Sequence, residues 1–168
     1  MLFIPARSPY GLIQEDLWPD EWKTLISCVM LNCTSRKQAE KVMRKFFDAW
    51  PTAKDLLKAD PNDVEASIES LGFKVRRTKT IFSLSKVYVS GSWSHARDLP
   101  GIGEYGSRAW EIFCKNDMGT TPPKDHALTK YWHWRIKNDK KKNDGTARED
   151  REKSPSAKEG EGRFIEAA

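Results

Sequence analysis

The chain has 168 residues, a formal charge of +5, and seven tryptophans beside seven phenylalanines. That is one domain's length with enough aromatic surface for a packed interior, which excludes a wholly disordered chain, and the small basic excess fits a polyanionic partner without demanding one. No apolar run reaches membrane-spanning length, and Met1-Leu2-Phe3-Ile4-Pro5 is too short for a signal peptide, so a soluble, intracellular protein is expected.

Taken in chain order, the elements read as helices. Trp22, Leu25, Ile26, Val29 and Met30 share one helical stripe after Pro19-Asp20. Ser35 and Gln38 have capping-box spacing ahead of Ala39, Val42, Met43, Phe46 and Phe47. Pro51-Thr52 stops that helix and opens a short one through Leu56 and Leu57. Asp60-Pro61 starts another with Val64, Ile68 and Leu71, ended by Gly72. Ile81, Leu84 and Val87 mark a helix closed by Gly91, and Leu128, Tyr131, Trp132 and Ile136 mark the last. Sustained alternation of a strand is absent, so the fold is expected to be all-α. From Lys137 the apolar period stops and lysine and mixed-charge runs take over. Residues 1–136 therefore read as the folded domain and 137–168 as a charged, disordered tail.

Cys28, Cys33 and Cys114 are the only cysteines. Three scattered thiols make neither a disulfide framework nor a zinc site, and they fall one short of four-cysteine iron–sulfur ligation. Cys28 lies on an apolar face and reads as core. The histidines do not cluster, so no metal is expected.

Leu99-Pro100-Gly101-Ile102-Gly103-Glu104-Tyr105-Gly106 is the most informative passage. A Gly-x-Gly turn lets two helices meet sharply, with Leu99 and Ile102 as apolar pegs. It leaves the N–H groups of Gly101, Gly103 and the following helix start pointing outward, a device for holding phosphate without reading bases. Asp125, in Pro122-Pro123-Lys124-Asp125-His126, precedes the last helix and reads by itself as an N-cap.

Hairpin and aspartate together resemble the helix-hairpin-helix DNA glycosylases of the endonuclease III superfamily, here without the iron–sulfur cluster that many members carry. Arg7-Ser8-Pro9-Tyr10, Leu12-Ile13-Gln14-Glu15, Trp22-Lys23, Leu31-Asn32, Thr34-Ser35, Asp125-His126 and Lys130-Tyr131 are similar to the glycosylase domain of the methyl-CpG-binding domain protein 4 family, over about residues 5–136.

The resemblance implies removal of thymine or uracil mispaired with guanine, acting as a monomer on double-stranded DNA in the nucleus, with no cofactor. It makes Asp125 the catalytic residue, Gln14 and Tyr105 the base pocket, and Leu71-Gly72-Phe73 the loop that invades the duplex. Gly101, Ile102, Gly103, Tyr105, Gly106 and His126 complete the DNA-binding set. Tyr105 stands where bifunctional members place a Schiff-base lysine, so base excision without strand cleavage is expected. Cys33 stands where the family has an arginine that fills the vacated stack, Ala127 replaces a lysine, and no methyl-CpG-binding domain accompanies the sequence. Two other readings stay open: a different damaged base as substrate, or a non-catalytic DNA-binding relative.

Overall fold

The computed structural model describes residues 3–152. Among them there is no strand. The helices are α1 Ile13–Leu17, α2 Glu21–Leu31, α3 Arg36–Ala49, α4 Ala53–Leu56, α5 Pro61–Ser67, α6 Lys74–Ser90, α7 Glu104–Cys114 and α8 His126–Glu152, with single 3₁₀ turns at Glu69–Leu71 and Ala96–Asp98. The chain divides into two units, Met1–Arg135 and Ile136–Ala168.

Helix starts follow local chemistry. The side chains of Asp20, Ser35, Thr52 and Asp60 each accept a first-turn N–H, from Lys23, Gln38, Asp55 and Asn62. Each satisfies one of the donors a helix leaves unpaired at its beginning. The reciprocal half of the expected capping box is missing, however. Gln38 Nε2 donates to Ser70 O at 3.2 Å instead, tying the start of α3 to the turn before Leu71.

α2 is the central helix and packs against α1, α3, α6 and α7. Trp22, Leu25, Ile26, Val29 and Met30 enter a large apolar cluster with Phe46, Phe47, Leu56, Ile68, Ile81 and Leu84. Cys28, on another side of α2, joins a second cluster with Leu12, Ala109, Ile112, Phe113, Leu128 and Tyr131. Small polar residues of α2 are buried too: Ser27 Oγ returns its proton to Thr24 O at 2.7 Å. Trp22 Nε1, deep between helices, donates to Ser85 Oγ at 2.9 Å.

Three features depart from the sequence pattern. α1 is too short for periodicity to reveal it; the buried Glu15 carboxylate holds its entry by accepting from Leu12 N, Ser8 N and Ser8 Oγ. The first helix of the glycine hairpin is only the turn Ala96–Asp98. Finally, α8 continues to Glu152, so residues 137–152 are helical where a disordered segment was expected. Lysine, alanine, arginine and glutamate are good helix formers, and once α8 has begun no proline interrupts it before Pro155. The rest of the expected tail lies outside the described residues. Among the described residues no helix is long and apolar enough to cross a membrane.

Burial pushes the thiols of Cys28 and Cys114 and the phenol of Tyr88 up to about 12. In the unfolded chain these groups ionise earlier, so between roughly pH 9 and 12 the folded state holds more protons and stability falls as pH rises. Cys28 accounts for at most about 1.4 kcal/mol per pH unit in that window. The urea midpoint is expected to be level to about pH 8.5 and to drop above about pH 9. Cys28→Ala, although less stable throughout, should show a shallower drop, and an equal slope would contradict the assignment.

Candidate functional site

Asp125 caps α8: its Oδ1 accepts the Leu128 N–H at 3.0 Å, and Thr129 N donates to its carbonyl at 2.8 Å. The same side chain lines a cavity of about 350 Å³. Gln14, Tyr105, Leu12, Asn32, Cys33, Thr34, Arg36 and Ala127 share that wall. Residues far apart in sequence thus meet in one place, α1 supplying Gln14 and α7 supplying Tyr105. Cap and cavity residue are one and the same at Asp125, since only one carboxylate oxygen is used by the helix.

Gln14 is buried, and its Nε2 donates to Tyr105 Oη at 2.9 Å. Its Oε1 has no partner among the described residues. Burial raises the Tyr105 phenol above its ordinary value, with the neighbouring Cys28 adding to the shift. A neutral phenol that accepts from Gln14 keeps its own proton to donate. The cavity therefore offers a fixed carboxylate, an amide oxygen and a hydroxyl donor.

The loop that delivers Asp125, residues 115–125, has no regular structure and is pinned from two helices. Arg108, on α7 and ion-paired with Glu111, donates to Met118 O at 3.0 Å and Thr121 O at 3.2 Å. Trp132 Nε1 adds a bond to Met118 O at 2.6 Å, and Thr129 Oγ1 one to Pro123 O at 2.5 Å.

The hairpin lies next to this cavity, sharing Tyr105 and Asn32 with a smaller one of about 230 Å³ lined by Gly101, Ile102, Gly103 and Gly106. Its glycines differ in role. Gly101 has φ +80, and a Cβ there would meet Thr80 Cγ2 at 2.1 Å, so its place is set by close approach to α6. Gly103, the N-cap of α7, would place a Cβ in open space, and it gives the first-turn donors no side-chain acceptor. Ile102 is buried and its N–H is bonded to Leu99 O at 3.2 Å. Gly106 is buried against Ile102 and Cys28. Those two residues shape the turn from within, while Gly101 and Gly103 face outward. His126 is exposed at the start of α8 and is not on the wall of the larger cavity.

Leu71, Gly72 and Phe73 likewise separate. Leu71 is buried in the core, whereas Phe73 is 72 % exposed on a left-handed backbone with φ +50, directly after Gly72 at φ +75. Few non-glycine residues adopt that conformation, and a large apolar ring held out in this way needs an explanation. Cys33 is exposed at φ +58 and lines both the Asp125 cavity and a neighbouring one of about 260 Å³ with Phe73, Arg76, Arg77, Thr80 and Gly101. Asn32, Thr34 and Arg77 are site residues to which the sequence reading gave no role. For Arg77 a signal existed, because a charge four residues before Ile81 falls on the apolar stripe of α6. Among the described residues, no group of three or more His, Cys, Asp or Glu side chains stands together as a metal site.

A family model described as HhH-GPD superfamily base excision DNA repair protein matches residues 26–155. The chain is 38% identical over 132 residues to a methyl-CpG-binding domain protein 4-like protein of Arabidopsis thaliana, covering 79% of this chain and 30% of that protein. It is 28% identical over 93 residues to a thymine-DNA glycosylase of Aeropyrum pernix, covering 51% and 42%. The chain thus spans less than half the length of these relatives. The solved structure of a thermostable thymine-DNA glycosylase has the same fold, with a TM-score of 0.56 at 23% identity over 60% of this chain and 50% of that one. The helical architecture, the glycine hairpin before α7 and a family match over most of the sequence agree: the chain belongs to the HhH-GPD superfamily of base excision DNA repair proteins.

Proposed function

We propose that this chain is a monofunctional DNA glycosylase that removes thymine or uracil mispaired with guanine, acting as a monomer on nuclear double-stranded DNA through residues 1–136. The observation that carries this reading is the meeting of Gln14, Tyr105 and Asp125 on one cavity beside the glycine hairpin. The Aeropyrum pernix relative named a thymine-DNA glycosylase supports the substrate class.

A base within a duplex is out of reach, so the nucleotide must first be turned out into the cavity. There the Oε1 of Gln14 accepts the N3–H that thymine and uracil carry and cytosine lacks, and the Tyr105 hydroxyl donates to a ring carbonyl. As the C1′–N1 bond breaks, its electron pair leaves with the base and positive charge grows on the sugar. The Asp125 carboxylate opposes that charge and takes a proton from the water whose oxygen bonds to C1′. The departing base anion takes up a proton and Asp125 gives up the one it took, so the products are the neutral free base and an intact strand with an abasic sugar. The wall of the cavity carries no lysine, and Tyr105 stands where bifunctional members place the Schiff-base lysine, which supports hydrolysis over Schiff-base chemistry.

On a labelled G:T or G:U duplex, breaks should therefore appear only after hot alkali. Breaks before alkali, together with borohydride trapping of the protein, would contradict hydrolysis alone. Asp125→Asn keeps a capping oxygen for Leu128 but loses the charge, so excision should fall on the order of 10²–10³-fold with duplex affinity within a few-fold. Single-turnover rates and a binding titration separate the two, and an active variant would reduce Asp125 to a cap. Gly103→Ala adds a methyl group where phosphate would approach, at a position with room for it in the protein. Affinity should drop about fivefold for matched and mismatched duplexes alike, the loss of about one hydrogen bond. A loss restricted to the mismatch would assign the hairpin to base recognition instead.

A further inference from the structure

Arg77 is 6 % exposed, and no carboxylate lies within ion-pair distance among the described residues. A buried guanidinium without a counter-charge is costly unless its donors are well used. Here they are spent on two separate loops. Nη2 donates to Asn32 O at 2.5 Å, and Nη1 to Leu71 O at 3.0 Å and Thr34 Oγ1 at 3.2 Å. Each of the two carbonyls belongs to the residue just before a positive-φ stretch. Asn32 precedes Cys33 at φ +58, and Leu71 precedes Gly72 at +75 and Phe73 at +50. Neither loop has a repeating hydrogen-bond pattern of its own to hold such backbone. A planar fork with fixed donor directions can bind two carbonyls at once and set the angle between them, which a lysine ammonium cannot.

We infer that Arg77 is a positioning residue that couples the two loops, holding Phe73 outward on one side and Cys33 at the cavity mouth on the other, so that the aromatic ring enters the duplex in register with the base cavity. The inference rests on the glycosylase reading and deepens it. Arg77 itself touches no base. It acts through Phe73, whose exposure would otherwise be lost to collapse of the ring onto the surface.

The test compares Arg77→Met, Arg77→Lys and Phe73→Ala, singly and combined, in the full chain. Circular dichroism and thermal melts verify folding. The readout is binding to a duplex with a tetrahydrofuran abasic site against a matched duplex of the same sequence. Wild type should prefer the abasic duplex. Arg77→Met should lose about tenfold of that preference, with matched-duplex affinity little changed, the effect of removing charge-assisted hydrogen bonds. In the Phe73→Ala background the same substitution should have no further effect, because the ring through which it acts is gone. Arg77→Lys, which keeps the charge and carries the test if the methionine variant does not fold, should lose part of the preference. Its amide hydrogen exchange should rise together in residues 31–34 and 70–74. A folded Arg77 variant with full preference, or an equal loss with and without Phe73, overturns the inference while leaving the glycosylase reading intact. A wild-type chain with no preference for the abasic duplex and no excision overturns both.

Discussion

Burial of α2 on nearly every side is the constraint from which the rest of the site follows. A helix with four helical neighbours has little freedom to slide or rotate, since close-packed interiors resist displacement. Its end at Leu31 therefore sets where residues 32–34 emerge, and of these Asn32 and Cys33 line both the Asp125 cavity and its neighbour of about 260 Å³. Its side chains also register the partners: Cys28 meets Gly106 of α7, and Gly106 lets the two helices approach near the glycine hairpin. Tyr105, one residue earlier on α7, is thereby carried to Gln14. The position of the cavity is a consequence of how the core closes around α2.

Around this rigid centre the irregular segments that border the site are held by polar side chains from helices. Arg77 on α6 holds the loops of Asn32 and Leu71, Arg108 on α7 holds the loop leading to Asp125, and Glu15 on α1 holds the turn at Ser8. Such side chains satisfy carbonyls and N–H groups that lack a helix partner, and buried polar groups left unsatisfied would be expensive. The same bonds limit how far the loops can move. A site made in this way combines reach, which helices lack, with fixed positions.

Asp125 joins a role in the fold, as the cap of α8, to the chemical role proposed for it. In the proposed reaction its carboxylate opposes cationic charge on a sugar. The capping bond to Leu128 also fixes the side chain's rotation, so the second oxygen is held toward one region. Beside it, Gln14 and Tyr105 bond to each other, which orients both and leaves one acceptor and one donor for a ligand.

The helical nature of the chain, its helix starts and its apolar faces were legible in the sequence because they depend on nearby residues: capping side chains, proline, glycine and a 3.6-residue period. The hairpin was legible for the same reason, and family resemblance pointed to Asp125, Gln14 and Tyr105 before any geometry was known. Other features were decided by tertiary structure. That Leu71 is buried while Phe73, two residues on, is exposed depends on Gly72 and the turn between them, not on hydrophobicity. Gly101 and Gly103 look alike in sequence, yet one is confined by Thr80 and the other is open. The length of α8 follows helix propensity without an apolar stripe, so periodicity stopped short of it. Arg77 was visible only as a charge on an apolar stripe; its two loops lie roughly 40 residues apart in sequence, and only folding shows that one guanidinium reaches both. Local patterns encode elements, whereas bonds between distant loops depend on how the elements pack.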